Sequence, residues 1–380
     1  MKRVLFALVA AGTTALAACA FTPAASPPRS PDAPDQVILL IADGAGTAYW
    51  TAARWHAGEL AVQGMPVAGL VDTRSADSRI TDSAAGATVY SAGVRTYNGA
   101  IGVGVECKAR FAADSAAVMR DPASCDPLPG LFDLARERGW RTGLVATSSI
   151  THATPASFAA HVPYRRMQPE IAEQLARGEV HVLLGGGRGF FDGALRPDRR
   201  DLLAGLCAAA TCIGTPEELA AYRPDGRRLV GLFAENQMPA AGERRPSLPE
   251  MTRVALETLR QGGRGFVLMV EGSQPDWRGH ENAPLPAVTA EMVDFDRTVA
   301  VVLEFARQNP RTLVVVTADH ETGGLSLTED ADTAKALYPT DYHTGEMVPL
   351  FAAGPGAERF GGIRDNAEVG RLLREAVRAR

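Results

Sequence analysis

Three apolar runs that each end in acid constrain the fold of this chain more than any other feature. Gln36-Val-Ile-Leu-Leu-Ile-Ala42 runs into Asp43, and Val267-Leu-Met-Val270 runs into Glu271. Leu313-Val-Val-Val-Thr317 is followed by Ala318, Asp319 and His320. An unbroken apolar run without alternation predicts a strand buried on both faces, which is the condition of a parallel sheet. In such sheets ligands lie beyond the carboxyl ends of the strands. The acids and the histidine fall at those ends, a coincidence that core packing does not explain.

Between these runs the chain alternates strand and helix signals. Helices are expected over Thr47–His56, Ser83–Gly93 with a glycine stop, Leu131–Arg138, Leu248–Gln261, Pro286–Gln308 and Asn366–Arg378. Strands are expected over Val67–Val71, Thr142–Ala146, Val180–Leu184, Gly265–Val270 and Thr312–Val316, with Glu346–Ala353 the last. The alternation predicts an α/β fold, a three-layer sandwich around a large, mostly parallel central sheet. The charged segment Asp192–Arg245 reads as irregular and peripheral, and no internal repeat is present.

A chain of 380 residues has room for an ample core, and its net charge of -5 argues against a dedicated nucleic-acid partner. The N-terminus reads as a targeting segment. Met1-Lys-Arg3 is basic, Val4–Leu16 is apolar but too short to span a bilayer comfortably, and Leu16-Ala17-Ala18-Cys19 resembles a bacterial lipobox. Residues 1–19 are therefore expected to be a lipoprotein-type signal, with Cys19 as the lipidated residue and the only membrane attachment. The alternative is a plain signal peptide. Either way the protein is expected to be exported, to the periplasm or to an outer-membrane anchor. Residues 20–35 carry Pro23, Pro27, Pro28, Pro31 and Pro34 and read as an extended tether, with one domain over 36–380. Four cysteines remain: Cys107, Cys125, Cys207 and Cys212. An even number outside the cytoplasm suggests disulfides, and the sequence-local pairing Cys107–Cys125 with Cys207–Cys212, in loop-like stretches, is the simplest of three.

The chemistry-bearing residues cluster. Thr81-Asp82-Ser83 opens a small-residue segment, Ser83-Ala-Ala-Gly-Ala-Thr88, that suits a helix. A helix N-terminus presents unpaired N–H groups and a positive dipole end, so it suits a serine that attacks or carries phosphate. Taken alone it is also an ordinary N-cap. Three of the seven histidines, His280, His320 and His343, sit beside acids or in glycine-bearing loops. Asp276-Trp-Arg-Gly-His280 sets carboxylate and imidazole one helical turn apart or nearby on a loop, and Asp319-His320 splays two ligands from one strand end. Mixed Asp/His sets without cysteine suit catalytic zinc better than structural zinc. His56, His161 and His181 read as ordinary surface or core histidines.

On these residues the chain resembles the alkaline phosphatases. The matching segments, in family order, are Ile41-Ala-Asp43-Gly-Ala-Gly46, Thr81-Asp-Ser83-Ala-Ala-Gly-Ala-Thr88, Gly93-Val-Arg-Thr-Tyr-Asn-Gly99 and His152-Ala-Thr154-Pro. They continue with Val270-Glu271-Gly-Ser, Asp276-Trp-Arg-Gly-His280, Thr317-Ala-Asp319-His320-Glu-Thr-Gly-Gly324 and His343-Thr-Gly345, so the resemblance spans Val37 to about Gly354. It implies a phosphomonoesterase of broad leaving-group type, acting on small-molecule phosphate monoesters with Ser83 as the nucleophile that becomes phosphoserine. It implies two Zn2+ and one Mg2+ per chain. Asp276, His280 and His343 match the first zinc, Asp43, Asp319 and His320 the second, and Asp43, Thr154 and Glu271 the magnesium site. Arg165, more than Arg166, matches the residue that grips phosphate, where its planar fork can hold two oxygens. Two metal ions about 4 Å apart can bind the attacking and leaving oxygens of an in-line displacement.

Asp82, His152 and Trp277 fall near the substrate by the same resemblance. The His152/Trp277 pairing looks like that of one bacterial subgroup, and a neutral Trp277 removes a cation that other members place near phosphate. The short interval from His320 to His343 lacks the large insertion some members carry there. The family is usually dimeric, so a homodimer is a possible assembly. A diesterase or sulfatase relative is the second enzymatic reading. The Arg165 position and the absence of Cys-x-Pro-x-Arg speak against it. A non-catalytic zinc-binding surface protein is the third reading, and it would predict a lost ligand or a lost Ser83.

Overall fold

The computed structural model describes residues 33–330 and 333–379. The targeting segment and all but the end of the tether lie outside the described residues. Among the described residues no helix is long and apolar enough to cross a membrane.

Among the described residues ten strands form one sheet. In chain order they are β1 (Gln36–Ala42), β2 (Val67–Asp72), β3 (Arg141–Ser149), β4 (Val182–Gly186), β5 (Ala210–Ile213), β6 (Arg228–Leu232), β7 (Phe266–Gly272) and β8 (Thr312–Thr317). Four short strands that pair outside this sheet follow, β9 (Glu321–Thr322) with β12 (His343–Thr344) and β10 (Ser326–Asp330) with β11 (Thr333–Leu337), and then β13 (Val348–Ala353) and β14 (Gly362–Asp365) complete the ten. The spatial order is β14-β2-β13-β8-β1-β7-β3-β4-β6-β5. Among the described strands of this sheet only β13 runs antiparallel to its neighbours.

The three acid-tipped runs are the three central strands. Strand β1 lies between β7 and β8, with Ile41 level with both Glu271 and Thr317. Every residue of β7 and β8 is buried, as a doubly covered parallel strand requires. One helical layer contains Thr47–Ala57, Leu248–Arg260 and Leu285–Gln308, which pack on one another. The other contains Ser83–Ala92, Leu131–Glu137 and Asn366–Arg378. The resulting three-layer α/β sandwich is the expected fold class.

Several local expectations are corrected. The strand over 348–353 is not the last, because β14 adds a parallel edge beside β2. Its sequence, Gly-Ile-Arg-Asp, has too little apolar character to stand out. Asp192–Arg245 is not irregular: it supplies β5, β6 and the helices Leu202–Ala209 and Pro216–Ala221. Its buried run Leu229–Leu232 is only four residues long and follows Arg227-Arg228, so the charge masks it. Strand β4 does not end before its glycines but includes Gly185 and Gly186. A Cβ on Gly186 would lie 2.1 Å from the Asn236 carbonyl oxygen, so close backbone contact requires glycine there.

Both sequence-local disulfides form, Cys107–Cys125 and Cys207–Cys212. They lie less in loops than expected: Cys107 opens the helix Cys107–Ala113, Cys207 is helical and Cys212 is on β5. The first disulfide joins Tyr97, Ala100, Val103 and Val118 in a small satellite core.

Candidate metal and phosphate site

The carboxyl ends of the central strands bring the acids together. Asp43 follows β1, Glu271 is the penultimate residue of β7, and Asp319 lies two residues past β8. All three side chains are buried. The turn after β1 needs Gly44, whose φ is +72° and where a Cβ would lie 2.6 Å from the Asp276 Cα. Asp276 and His280 sit on the helix Gln274–His280, which continues from β7, so their spacing is a true helical turn.

Two ligand clusters result: Asp43, Asp319 and His320, and Asp276, His320 and His343. His320 reaches both, more than its expected single membership. Its Nε2 lies 3.4 Å from Asp43 Oδ1 and 3.4 Å from Asp319 Oδ2. His280 Nε2 is 3.3 Å from Asp276 Oδ1 and 3.2 Å from His343 Nε2, which brings His280 to the second cluster.

The other ring nitrogens set the tautomers. His280 Nδ1 lies 2.7 Å from the Asp341 carbonyl, and His343 Nδ1 lies 2.8 Å from the Thr81 carbonyl. A carbonyl only accepts, so in the neutral rings Nδ1 carries the proton and Nε2 presents its lone pair to the cluster. Thr322 does the same for His320. Its hydroxyl donates to Asp276 Oδ1 at 2.5 Å, which leaves its oxygen to accept from His320 Nδ1 at 3.2 Å. The sequence gives Thr322 no role of its own. Its one available signal was the position two residues after His320, where a short strand such as β9 returns the side chain to the same face. Glu321 was also missed. It is buried, accepts from the Gly324 and Leu325 N–H groups and from the Thr344 hydroxyl, and so ties β9 to β12 beside His343.

The buried oxygens fit cations. Both carboxylate oxygens of Asp43, Oδ2 of Asp319, Oε1 of Glu271 and the Thr154 hydroxyl have no hydrogen-bond partner. Unpartnered buried carboxylates are costly unless positive charge compensates them. Burial, reinforced by Asp319, Asp276 and Glu271, pushes the Asp43 carboxyl well above the usual range. Burial raises Asp319 likewise and pushes Glu271 up to about 7. Ser148 Oγ donates to Glu271 Oε2 at 3.1 Å, so only the other oxygen is left open.

The serine stands at the edge of this charge. Ser83 is the first residue of the helix Ser83–Ala92, and its Oγ lies 3.2 Å from His320 Nε2. Asp82 is the N-cap, accepting from the Ala85 N–H, and also accepts from the Gly99 N–H. Arg165 Nη1 donates to Asp82 Oδ2 at 2.9 Å. Arg166 is instead exposed, 5.9 Å from the Tyr164 ring. His152 stands edge-on to Trp277 with ring centroids 6.2 Å apart, and burial with the nearby Arg165 charge lowers its pKa to about 3, so it is a neutral ring. His56, His161 and His181 take no part in either cluster.

These features have relatives. The alkaline phosphatase family model matches residues 35–340. Alkaline phosphatase 3 of Bacillus subtilis is 32% identical over 435 residues, covering 90% of this chain and 88% of the relative. Streptomycin-6-phosphate phosphatase of Streptomyces griseus is 35% identical over 424 residues, covering 90% of each. The solved alkaline phosphatase of the Antarctic bacterium TAB5 superposes with a TM-score of 0.80 at 33% identity, over 92% of this chain and 99% of that one. On the strength of this family match and of relatives aligned along nine-tenths of its length, the chain belongs to the alkaline phosphatase family, a family of phosphate-ester hydrolases.

Proposed function

We propose that the protein is a metal-dependent phosphomonoesterase that works through a phosphoserine on Ser83. The observation that supports this best is the placement of Ser83 Oγ. It lies at a helix N-terminus, 3.2 Å from His320 Nε2, beside buried acids that each keep at least one oxygen without a hydrogen-bond partner. Asp276, His280 and His343 would hold one zinc, and Asp43, Asp319 and His320 a second. Asp43, Thr154 and Glu271 would hold the third ion. We take that ion to be magnesium; variants of the TAB5 enzyme in which a histidine is replaced by aspartate or glutamate bind magnesium at their M3 site. Bound metal would supply Lewis-acid neutralisation of the phosphate dianion and of the oxygens that attack and leave.

The protein residues do the rest. Ser83 is the nucleophile, and the free N–H groups of its helix face the incoming phosphoryl oxygens. Arg165, held by Asp82, offers a planar fork to two equatorial oxygens. His280, His320 and His343 keep their Nδ1 protons on Asp341, Thr322 and Thr81, so no ring must reorient during turnover. After the alcohol leaves, water attacks the phosphoserine and Ser83 regains its proton. Because the grip is on the phosphoryl group, a range of small-molecule monoesters would serve. We further propose export of the protein with a lipid anchor at Cys19.

The test uses the purified full chain, stripped with chelator and then restored with zinc and magnesium. Hydrolysis of p-nitrophenyl phosphate is measured against bis(p-nitrophenyl) phosphate at alkaline pH. Monoester preference that disappears with chelation and returns with zinc is expected. Diester preference would overturn the reading.

A further inference from the structure

An exposed aromatic ring continues the histidine stack outward. His320 and His343 stack with centroids 3.6 Å apart and planes within 18°. Tyr342 stacks on His343 at 4.8 Å and 13°, and its centroid is 6.2 Å from that of His280. Contact therefore runs from Ser83 through His320 and His343 to Tyr342, a residue that is 54% exposed.

Holding an apolar ring of this size in water gains nothing from burial, yet its backbone is fastened on both sides. The Tyr342 carbonyl accepts from the Gly323 N–H at 2.9 Å, and its N–H donates to Thr340 Oγ1 at 3.2 Å. The preceding carbonyl, of Asp341, accepts from His280. The ring is thus presented beside the His280–His343 pair, stacked on the same His343 ring that stacks on His320.

We infer that Tyr342 is a specificity-determining residue that packs against the leaving group and favours phosphate monoesters in which a flat aromatic ring is joined directly to the ester oxygen. The inference rests on the proposed reading, in which the leaving oxygen is bound at Asp276, His280 and His343. An in-line displacement expels its leaving group away from Ser83 and toward the His280–His343 pair that would hold the leaving oxygen, and the Tyr342 ring packs on that pair. Stacked or edge-on aromatic pairs are favourable beyond simple area burial. An aliphatic leaving group gains none of this.

The test compares kcat/KM for 1-naphthyl phosphate and glycerol 2-phosphate in the full metal-loaded chain and its Tyr342→Ala and Tyr342→Phe variants. Taking the ratio of the two substrates cancels any general loss. Tyr342→Ala is expected to reduce the naphthyl-to-glycerol ratio by about three- to tenfold, and Tyr342→Phe to preserve it. Inhibition by phenylphosphonate relative to methylphosphonate should weaken in Tyr342→Ala by a similar factor. An unchanged ratio, whether both activities fall together or neither falls, would overturn the inference and leave Tyr342 as packing for His343. A wild-type chain that hydrolyses neither ester would instead sink the phosphomonoesterase reading, and the inference with it.

Discussion

Asp82 and Arg165 are joined by a 2.9 Å hydrogen bond from Nη1 to Oδ2, immediately before the serine that opens its helix. Asp82 thereby serves two purposes, capping the helix of Ser83 and aiming the guanidinium at the space in front of it. Burial alone would raise the Asp82 carboxyl, but the Arg165 charge and the N–H groups of Ala85 and Gly99 outweigh it and hold the carboxyl below its usual range. A depressed folded pKa contributes stability that is present above the unfolded value of about 4 and is lost as pH falls through the folded value. Wild-type thermal stability should therefore drop below about pH 4 with a component that Asp82→Asn lacks. At neutral pH that substitution should cost about 1–3 kcal/mol. Parallel pH profiles of melting temperature for the two proteins would refute this.

Arg165 and Arg166 should differ sharply although they are adjacent. Arg165→Ala should weaken inhibition by inorganic phosphate by about tenfold or more, the equivalent of one lost charge-assisted contact. Arg166→Ala, exposed beside Tyr164, should change it less than about threefold. Inhibition constants for phosphate decide the order, and the reverse order would show that the register of this segment is off by one.

Ser83→Ala removes only an oxygen at a helix start whose cap is Asp82, so the fold should remain intact. Turnover of p-nitrophenyl phosphate should fall by roughly three orders of magnitude or more if the nucleophile is Ser83. Circular dichroism and zinc content of the variant should match the wild type. Near-full activity would exclude the covalent route.

Chelation should destabilise the protein as well as silence it. Asp43, Glu271, Asp319 and Asp276 are buried within one site, and their mutual repulsion is relieved only by cation or proton. A ligand bound to the folded state alone adds about 4 kcal/mol at a thousand times its dissociation constant. Calorimetry should show a lower melting temperature after chelation at pH 8 and its recovery with zinc. An unchanged melting temperature would mean that the clusters bind no cation.

The two disulfides should contribute unequally. Cys107–Cys125 spans 18 residues and Cys207–Cys212 spans 5. In the chain-entropy picture the longer loop stabilises more, about 3 kcal/mol. Cys107→Ala with Cys125→Ala should lower the melting temperature more than the matching pair at Cys207 and Cys212, as thermal unfolding of both would reveal.

The sequence by itself determined the central layer. The runs ending at Asp43, Glu271 and Asp319 are long, unbroken and apolar, and burial on both faces leaves such runs one role. Helix ends marked by Asp82 or Gly93 were equally legible, because caps and stops are local chemistry. The acid and histidine candidates could be named from their place at strand ends and their spacing, whereas Thr154 and the division into three sites came only from the family resemblance. What those signals could not carry was the sharing of ligands. His320 reaches Asp276 as well as Asp43, because β1, β7 and β8 end abreast and the helix after β7 folds back over them. Thr322 orients His320 through Asp276, a residue 46 positions away in the chain. The edge strands β5, β6 and β14 were hidden for a related reason. Edge and near-edge strands take their hydrogen bonds and cover from neighbours already in place, so short runs with charged flanks are sufficient there. Tertiary structure also decided where Tyr342 stands: its carbonyl accepts from the Gly323 N–H of another segment, a contact no local pattern encodes, whereas the Thr340 bond to its N–H is local.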